Sequence, residues 1–247
     1  MDEDPDRVRW QGWAAPASRG PAWTDLSHAL NPAVSRVATF PAPSFGKFMS
    51  MPDDPLNVTE IRMVVHVGTH LDAPSHFIPD GPAIDQIPLG RLHGQGVVWP
   101  IRRQVGETIG PDDLDGASPA VRPGDLVLLD TGWSRWFGTP AYDDHPWLSE
   151  AAATWLADRQ VGLVGVDLAT PDLPVPRRPP EGFGWPVHKI LLSRGVLIAE
   201  HLTGLASLSG RRVEIIIGAL NVEGADGAPA RILARPLPET PGDRPSK

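Results

Sequence analysis

Of the 247 residues, 54 are proline or glycine, 29 and 25 respectively. Proline interrupts helix and sheet ladders and glycine weakens them, so this chain cannot be built from long helices. It must consist of short elements joined by ordered loops, which is where sites tend to be built. The share, about 22%, stays below the roughly 25–30% that marks a disordered chain. At this length roughly 70–75% of the unfolded surface can be buried, enough for a core without staples. Apolar runs at 58–67, 96–101, 126–130, 161–168, 196–200 and 213–222 read as strands, the last as a central one because polar alternation is nearly lost. Two helices are expected: 149–160, capped by Ser149, and 186–194, with Pro186 in its first turn and Gly195 as its stop. The expectation is one mixed α/β domain over 23–235, preceded by an arm (1–22) and followed by a flexible tail (236–247).

Cysteine is absent, which excludes disulfides, thiolate metal sites, iron–sulfur clusters and a Cys nucleophile. Any metal site must therefore use imidazole nitrogen and carboxylate oxygen. Acidic residues outnumber basic ones, 30 to 22, for a net charge of −8, which argues against nucleic acid or an anionic membrane as partner. The acidic start (Met1-Asp2-Glu3-Asp4) is the wrong sign for a secretory signal, and no apolar run reaches the ~18 residues of a membrane span, so the expected compartment is the cytoplasm. No Gly-x-Ser-x-Gly elbow occurs, which weighs against a serine hydrolase, and no nucleotide-binding glycine loop has the right spacing.

Three of the eight histidines fall within eleven residues, His66-Val-Gly-Thr-His70-Leu-Asp72-Ala-Pro-Ser-His76, together with an aspartate. The gaps of 4, 2 and 4 are all even, and on an extended chain even spacing places side chains on one face. Singly, each histidine reads as a half-buried, hydrogen-bonded residue. Together with the carboxylate they form an N/O donor set suited to Zn²⁺ or Mn²⁺. Gly68 leaves room for backbone to approach, and Pro74 forces the chain out of the sheet after Asp72, placing His76 on a loop beside the others. His188, in the first turn of the second helix, and Glu200, closing an apolar strand, are two further candidates; spacing alone does not link them to the cluster.

The run His66–Phe77 resembles the HxGTHxDxPxHF signature of the metal-dependent cyclase-like amidohydrolases, a family that includes bacterial kynurenine formamidase and isatin hydrolase. Supporting matches are Asp25-Leu26-Ser27, Thr131-Gly132-Trp133, Gly165-Val166-Asp167, His188 with Glu200 twelve residues on, and the closing loop Gly224 to Arg231. The resemblance implies a swivelling β/β/α domain with a mixed sheet and few helices, assembled as a homodimer or homotetramer. It implies that His66, His70 and Asp72 hold one cation, that Asp72 also reaches a second cation bound by His188, that Glu200 bridges the two, and that His76 is the acid/base residue. One or two Zn²⁺ or Mn²⁺ ions would serve hydrolysis of a small amide, with a cyclase or a lactone- or imide-ring hydrolase as the alternative and a non-catalytic metal-binding protein as the more distant one. Phe40 stands where the formamidases carry a substrate tryptophan, Gly204 stands where an Asn is usual, and residues 41–57 are longer than in the small formamidases. Phe183 and Trp185 are expected on the apolar side of the pocket, Arg231 as a cation for an anionic substrate, His28 and His201 at loop or rim positions, and residues 45–49 as a lid.

Overall fold

The computed structural model describes residues 21–238; residues 1–20 of the expected arm and 239–247 of the expected tail lie outside them. In chain order the strands are β1 (Thr24–Asp25), β2 (Ser44–Met49), β3 (Val58–Arg62), β4 (His70–Asp72), β5 (His93–Pro100), β6 (Thr108–Ile109), β7 (Leu126–Asp130), β8 (Trp147–Leu148), β9 (Leu163–Val166), β10 (Leu197–Glu200), β11 (Arg211–Ala219) and β12 (Gly227–Pro236). The helices are α1 (Pro111–Asp115), α2 (Glu150–Asp158) and α3 (Pro186–Ser193). This is the expected mixed α/β fold with few helices. Eight strands form one sheet in the order β1-β12-β11-β5-β7-β9-β10-β4, and β12 pairs with β4 as well, so the sheet closes on itself. β5, β7, β9 and β10 run parallel, whereas β4, β11 and β12 meet their neighbours antiparallel.

Period-two alternation sorts the parallel strands between two cores. Leu126, Leu128, Leu163, Leu197 and Ala199 face the interior of the closed sheet, with Val213, Ile215 and Ile217 of β11. Val127, Leu129, Val164, Val166 and Ile198 face outward, under Ala152, Leu156, Leu191 and Leu192 of α2 and α3. Both helices begin where the sequence places them. The Ser149 hydroxyl accepts from the Ala152 N–H at 3.0 Å, and Pro186 opens α3.

Three expectations change. The strand expected at 58–67 ends at Arg62, and its partner is β2, so residues 45–49 belong to a two-stranded hairpin. The loop expected at 224–231 becomes β12 from Gly227 onward, the longest strand among the described residues. Pro229 hid it, since a proline rarely sits in a sheet interior; it is tolerated near the strand's start. Of the expected tail, Pro236 still belongs to β12 and the Leu237 N–H donates to the Arg212 carbonyl at 3.0 Å.

Candidate metal centre

β4 lies between β10 and β12 and is only three residues long. Its middle residue, Leu71, enters the interior core, so His70 and Asp72 both face outward toward α3. On β10 the same alternation puts Glu200 on the outer face, two residues beyond Ile198, and the register sets Glu200 directly opposite His70. On the other side Gly227 stands opposite Asp72, which brings Asp226 alongside: its carbonyl accepts the Ala73 N–H at 2.9 Å. α3 delivers His188 from its first turn.

His66 arrives by another route than even spacing on a strand. Residues 63–69 are not extended sheet; Gly68 has φ +66°, and the reversal there folds His66 back over β4. A Cβ on Gly227 would lie 2.6 Å from His66 Cε1, so glycine at that position leaves the space the imidazole occupies. His66 Nδ1 is 2.8 Å from Asp72 Oδ1 and Nε2 is 2.9 Å from Asp226 Oδ2. His76 follows in the short turn Pro74–His76, stacks on His66 with ring centroids 3.8 Å apart, and holds Asp226 Oδ2 through Nδ1 at 3.0 Å. The structure thus brings His66, His70, Asp72, His76, His188 and Glu200 together.

The hydrogen-bond pattern fixes what these rings can do. His70 Nδ1 is 2.7 Å from the Gly68 carbonyl, which can only accept, so that nitrogen carries the hydrogen. In the neutral ring Nε2 is then a lone pair, yet it faces Asp72 Oδ1 at 3.3 Å and Glu200 Oε2 at 3.4 Å. His188 repeats the arrangement: Nδ1 meets Asp172 Oδ2 at 2.6 Å, and Nε2 faces Glu200 Oε1 at 3.1 Å and Asp72 Oδ2 at 3.5 Å. Lone pairs set against carboxylates repel unless positive charge lies on or between them. Asp72 Oδ2 is buried with no hydrogen-bond partner among the described residues. One donor atom each from Asp72, His188 and Glu200 lie within 4.8 Å of one another, as do donors of His66, Asp72 and His76, and of His70, Glu200 and His201. This donor set fits a divalent cation that accepts imidazole and carboxylate.

Without a cation, protons supply the positive charge. Burial disfavours a charged His66, but Asp72 and Asp226 overcome it and raise its pKa to about 9. Burial is likewise outweighed at His188, held well above the usual imidazole range by Asp172, Asp72 and Glu200. Asp72 stays well below the usual carboxylate range despite complete burial, because His188, His66 and His70 surround it. His76 moves the other way: burial lowers its pKa, Asp72 opposes, and the neighbouring His66 and His188 lower it further. With its side chain 23% exposed against 7% or less for the other three imidazoles, His76 is the ring that solvent reaches.

Two carboxylates that no local pattern marks complete the centre. Asp172 caps α3 from a distance, accepting the Val187 and His188 N–H groups at 3.0 Å each, and orients the His188 ring. Asp226 lies within the closing glycine-rich loop quoted above and joins His66 to His76. The signal available for it was an aspartate just before an apolar segment; only the β12–β4 pairing brings it to the site.

Around this centre the expected pocket residues divide. Trp185 packs 5.5 Å from His188 and 5.4 Å from Phe77, and Phe183 packs on Trp185. Arg231 does not come to the site: it is 72% exposed and paired with Asp25 at 2.6 Å. The cation over the aromatic wall is Arg178, 3.7 Å from the Trp185 ring. Phe40 lies half-buried in the 31–41 loop and, among the described residues, makes no ring contact with the site's imidazoles. Gly204 has φ +69°, a region that Asn and Gly share, and a Cβ there would lie 2.9 Å from the Asp25 carbonyl oxygen. Its departure from the usual Asn is thus accommodated by the backbone.

Comparison with known proteins finds a matching family and similar structures. The sequence model of a family described as putative cyclase matches residues 24–173. A kynurenine formamidase of Bordetella petrii is 32% identical over 198 residues, covering 77% of this chain and 86% of that protein. A solved structure described as a potential metal-dependent hydrolase with cyclase activity superposes with a TM-score of 0.73 at 28% identity, covering 89% of this chain and all of that one. Isatin hydrolase A from Ralstonia solanacearum shares the fold, with a TM-score of 0.75 at 24% identity over 86% of this chain and 91% of its own.

Proposed function

The chain belongs to the putative cyclase family, and from that premise we propose that it is a metal-dependent hydrolase cleaving a non-peptide C–N bond, in an amide, formamide or lactam, of a small aromatic or cyclic substrate. The observation that carries the reading is the convergence of imidazole lone pairs and carboxylates on Asp72, whose buried Oδ2 has no hydrogen-bond partner among the described residues. His66, His70, Asp72 and Glu200 would hold one cation, and Asp72, His188 and Glu200 a second, Zn²⁺ or Mn²⁺ in either place. When bound, such a cation supplies Lewis-acid chemistry, lowering the pKa of a water from 15.7 toward about 7 and polarising a carbonyl.

The protein's own task is then to move a proton and position the substrate. Asp226 fixes the hydrogen on His76 Nδ1, which presents Nε2 as the base. His76 takes a proton from the attacking water and returns it to the nitrogen as the C–N bond breaks, releasing an amine and a carboxylic acid. Phe77, packed 4.4 Å from His76 and 4.5 Å from His188, begins an apolar wall that Trp185 and Phe183 continue, and it supports an aromatic substrate face. Purified, cation-loaded protein is expected to turn over N-formylkynurenine, isatin or a related aromatic amide, the faster of the two separating open-chain from cyclic substrates. Metal content with no turnover of any amide or ester would refute the enzyme reading.

Asp172 gives a second test. Asp172→Asn weakens the partner that orients His188, and such outer-shell losses typically cost ~10–100-fold in metal affinity. Calorimetric titration with Zn²⁺ is expected to show a loss in that range; an unchanged affinity would mean that His188 does not depend on Asp172. The reading also includes a homodimer or homotetramer, supported by Phe48, Met51 and Ile61 of the β2–β3 hairpin region, 70%, 57% and 56% exposed, and a cytoplasmic location. No helix among the described residues is long and apolar enough to cross a membrane.

A further inference from the structure

We infer that His201 is an additional nitrogen ligand to the cation held at His70 and Glu200, a donor outside the five residues that the signature motif and the second ligand segment supply. The inference rests on the reading that this centre binds a divalent cation.

Strand alternation would send His201 to the face opposite Glu200. The backbone does otherwise: His201 has φ +55°, a left-handed conformation that is costly for a residue with a Cβ and persists only where surrounding contacts impose it. Those contacts are present. The His201 N–H donates to the Leu168 carbonyl at 3.0 Å, and the Thr69 hydroxyl donates to the His201 carbonyl at 2.6 Å. The turn keeps the side chain on the Glu200 side of the sheet, 3% exposed, with its ring centroid 5.7 Å from that of His70.

The ring is also held in one orientation. Its Nδ1 lies 3.0 Å from the buried Tyr142 hydroxyl, and that hydroxyl donates in turn to the Asp167 carbonyl at 3.4 Å. With the hydroxyl hydrogen directed to the carbonyl, the Tyr142 oxygen accepts Nδ1–H, and His201 Nε2 is left as the lone-pair nitrogen. His70 is fixed in the same tautomer by the Gly68 carbonyl. The donor atoms of His70, His201 and Glu200 lie within 4.8 Å of one another, and all three residues are buried. Two imidazole lone pairs and a carboxylate oxygen are three acceptors with no hydrogen among them; a cation satisfies all three. An imidazole whose far N–H is anchored by a protein oxygen is also how ligating histidines are usually held.

The test uses the whole protein, stripped of metal and labelled with ¹⁵N-histidine, and Zn²⁺ alone as the probe. On titration the His201 Nε2 resonance is expected to move to the position of a metal-bound nitrogen while Nδ1 keeps its hydrogen. His201→Asn, which tolerates the left-handed backbone, is expected to bind Zn²⁺ at least ~10-fold more weakly. A His201 ring that carries its hydrogen on Nε2 and does not respond, while His70 and His188 do, overturns the inference, as does a His201→Asn affinity equal to that of the parent. The labelled parent protein decides the matter if the variant fails to fold. Failure of the parent protein to take up Zn²⁺ at all would instead refute the reading on which the inference rests.

Discussion

Asp72→Asn is expected to lower cation affinity by more than the ~10–100-fold that an outer-shell partner costs, and to take hydrolysis down with it. The reason is the position of this carboxylate at the centre of the cluster. One oxygen faces His66 at 2.8 Å and His70 at 3.3 Å, while the other faces His188 at 3.5 Å and has no hydrogen-bond partner among the described residues. An amide in the same place removes the negative charge and presents an N–H₂ group to at least one imidazole lone pair. β4 pairs with β10 and β12 through its backbone, so the sheet does not depend on this side chain and the variant is expected to fold. Elemental analysis with circular dichroism checks both halves. A folded variant that retains its metal would show that the cation lies elsewhere.

His76→Ala is expected to behave in the opposite way, keeping metal and losing turnover. A positioned proton shuttle typically contributes ~10²–10⁴ in rate, or roughly 2.7–5.4 kcal/mol of barrier. The structure supports a shuttle in three respects: His76 is the most solvent-accessible imidazole of the cluster, its Nδ1 is committed to Asp226, and burial with the neighbouring imidazoles lowers its pKa, so the ring is neutral and can accept a proton. The same geometry would allow it to be a ligand, because its donor atom also groups with those of His66 and Asp72. The variant separates the two roles. Loss of kcat at constant metal content assigns proton transfer; loss of metal with unchanged activity per bound ion assigns ligation and removes the shuttle.

How much of this centre could be read from the sequence followed from how local each part is. His70, Asp72 and His76 were legible because one short segment carries them, and strand spacing correctly predicts that His70 and Asp72 share a face. His66 converges with them for a different reason, the left-handed turn at Gly68, so even spacing gave the right neighbour through the wrong geometry. Periodicity marked α2, α3 and the parallel strands, since strands buried on both faces read as unbroken apolar runs. β12 escaped because Gly227, Pro229 and Arg231 lack that signature, and with it went Asp226, which only the β12–β4 pairing carries to His66 and His76. Asp172 escaped because its role is to cap a helix that begins fourteen positions later, beyond the reach of any local capping pattern. Arg231 shows the converse: a charged residue in a glycine-rich stretch suggests a pocket, but alternation on β12 turns it to solvent and to Asp25.

The most direct test of the account is metal removal and restoration on the best substrate of the formamide and cyclic-amide panel. Chelation is expected to abolish hydrolysis, and Zn²⁺ or Mn²⁺ to restore it in proportion to the metal bound. Hydrolysis that continues at full rate in protein shown by elemental analysis to hold no metal would contradict the account.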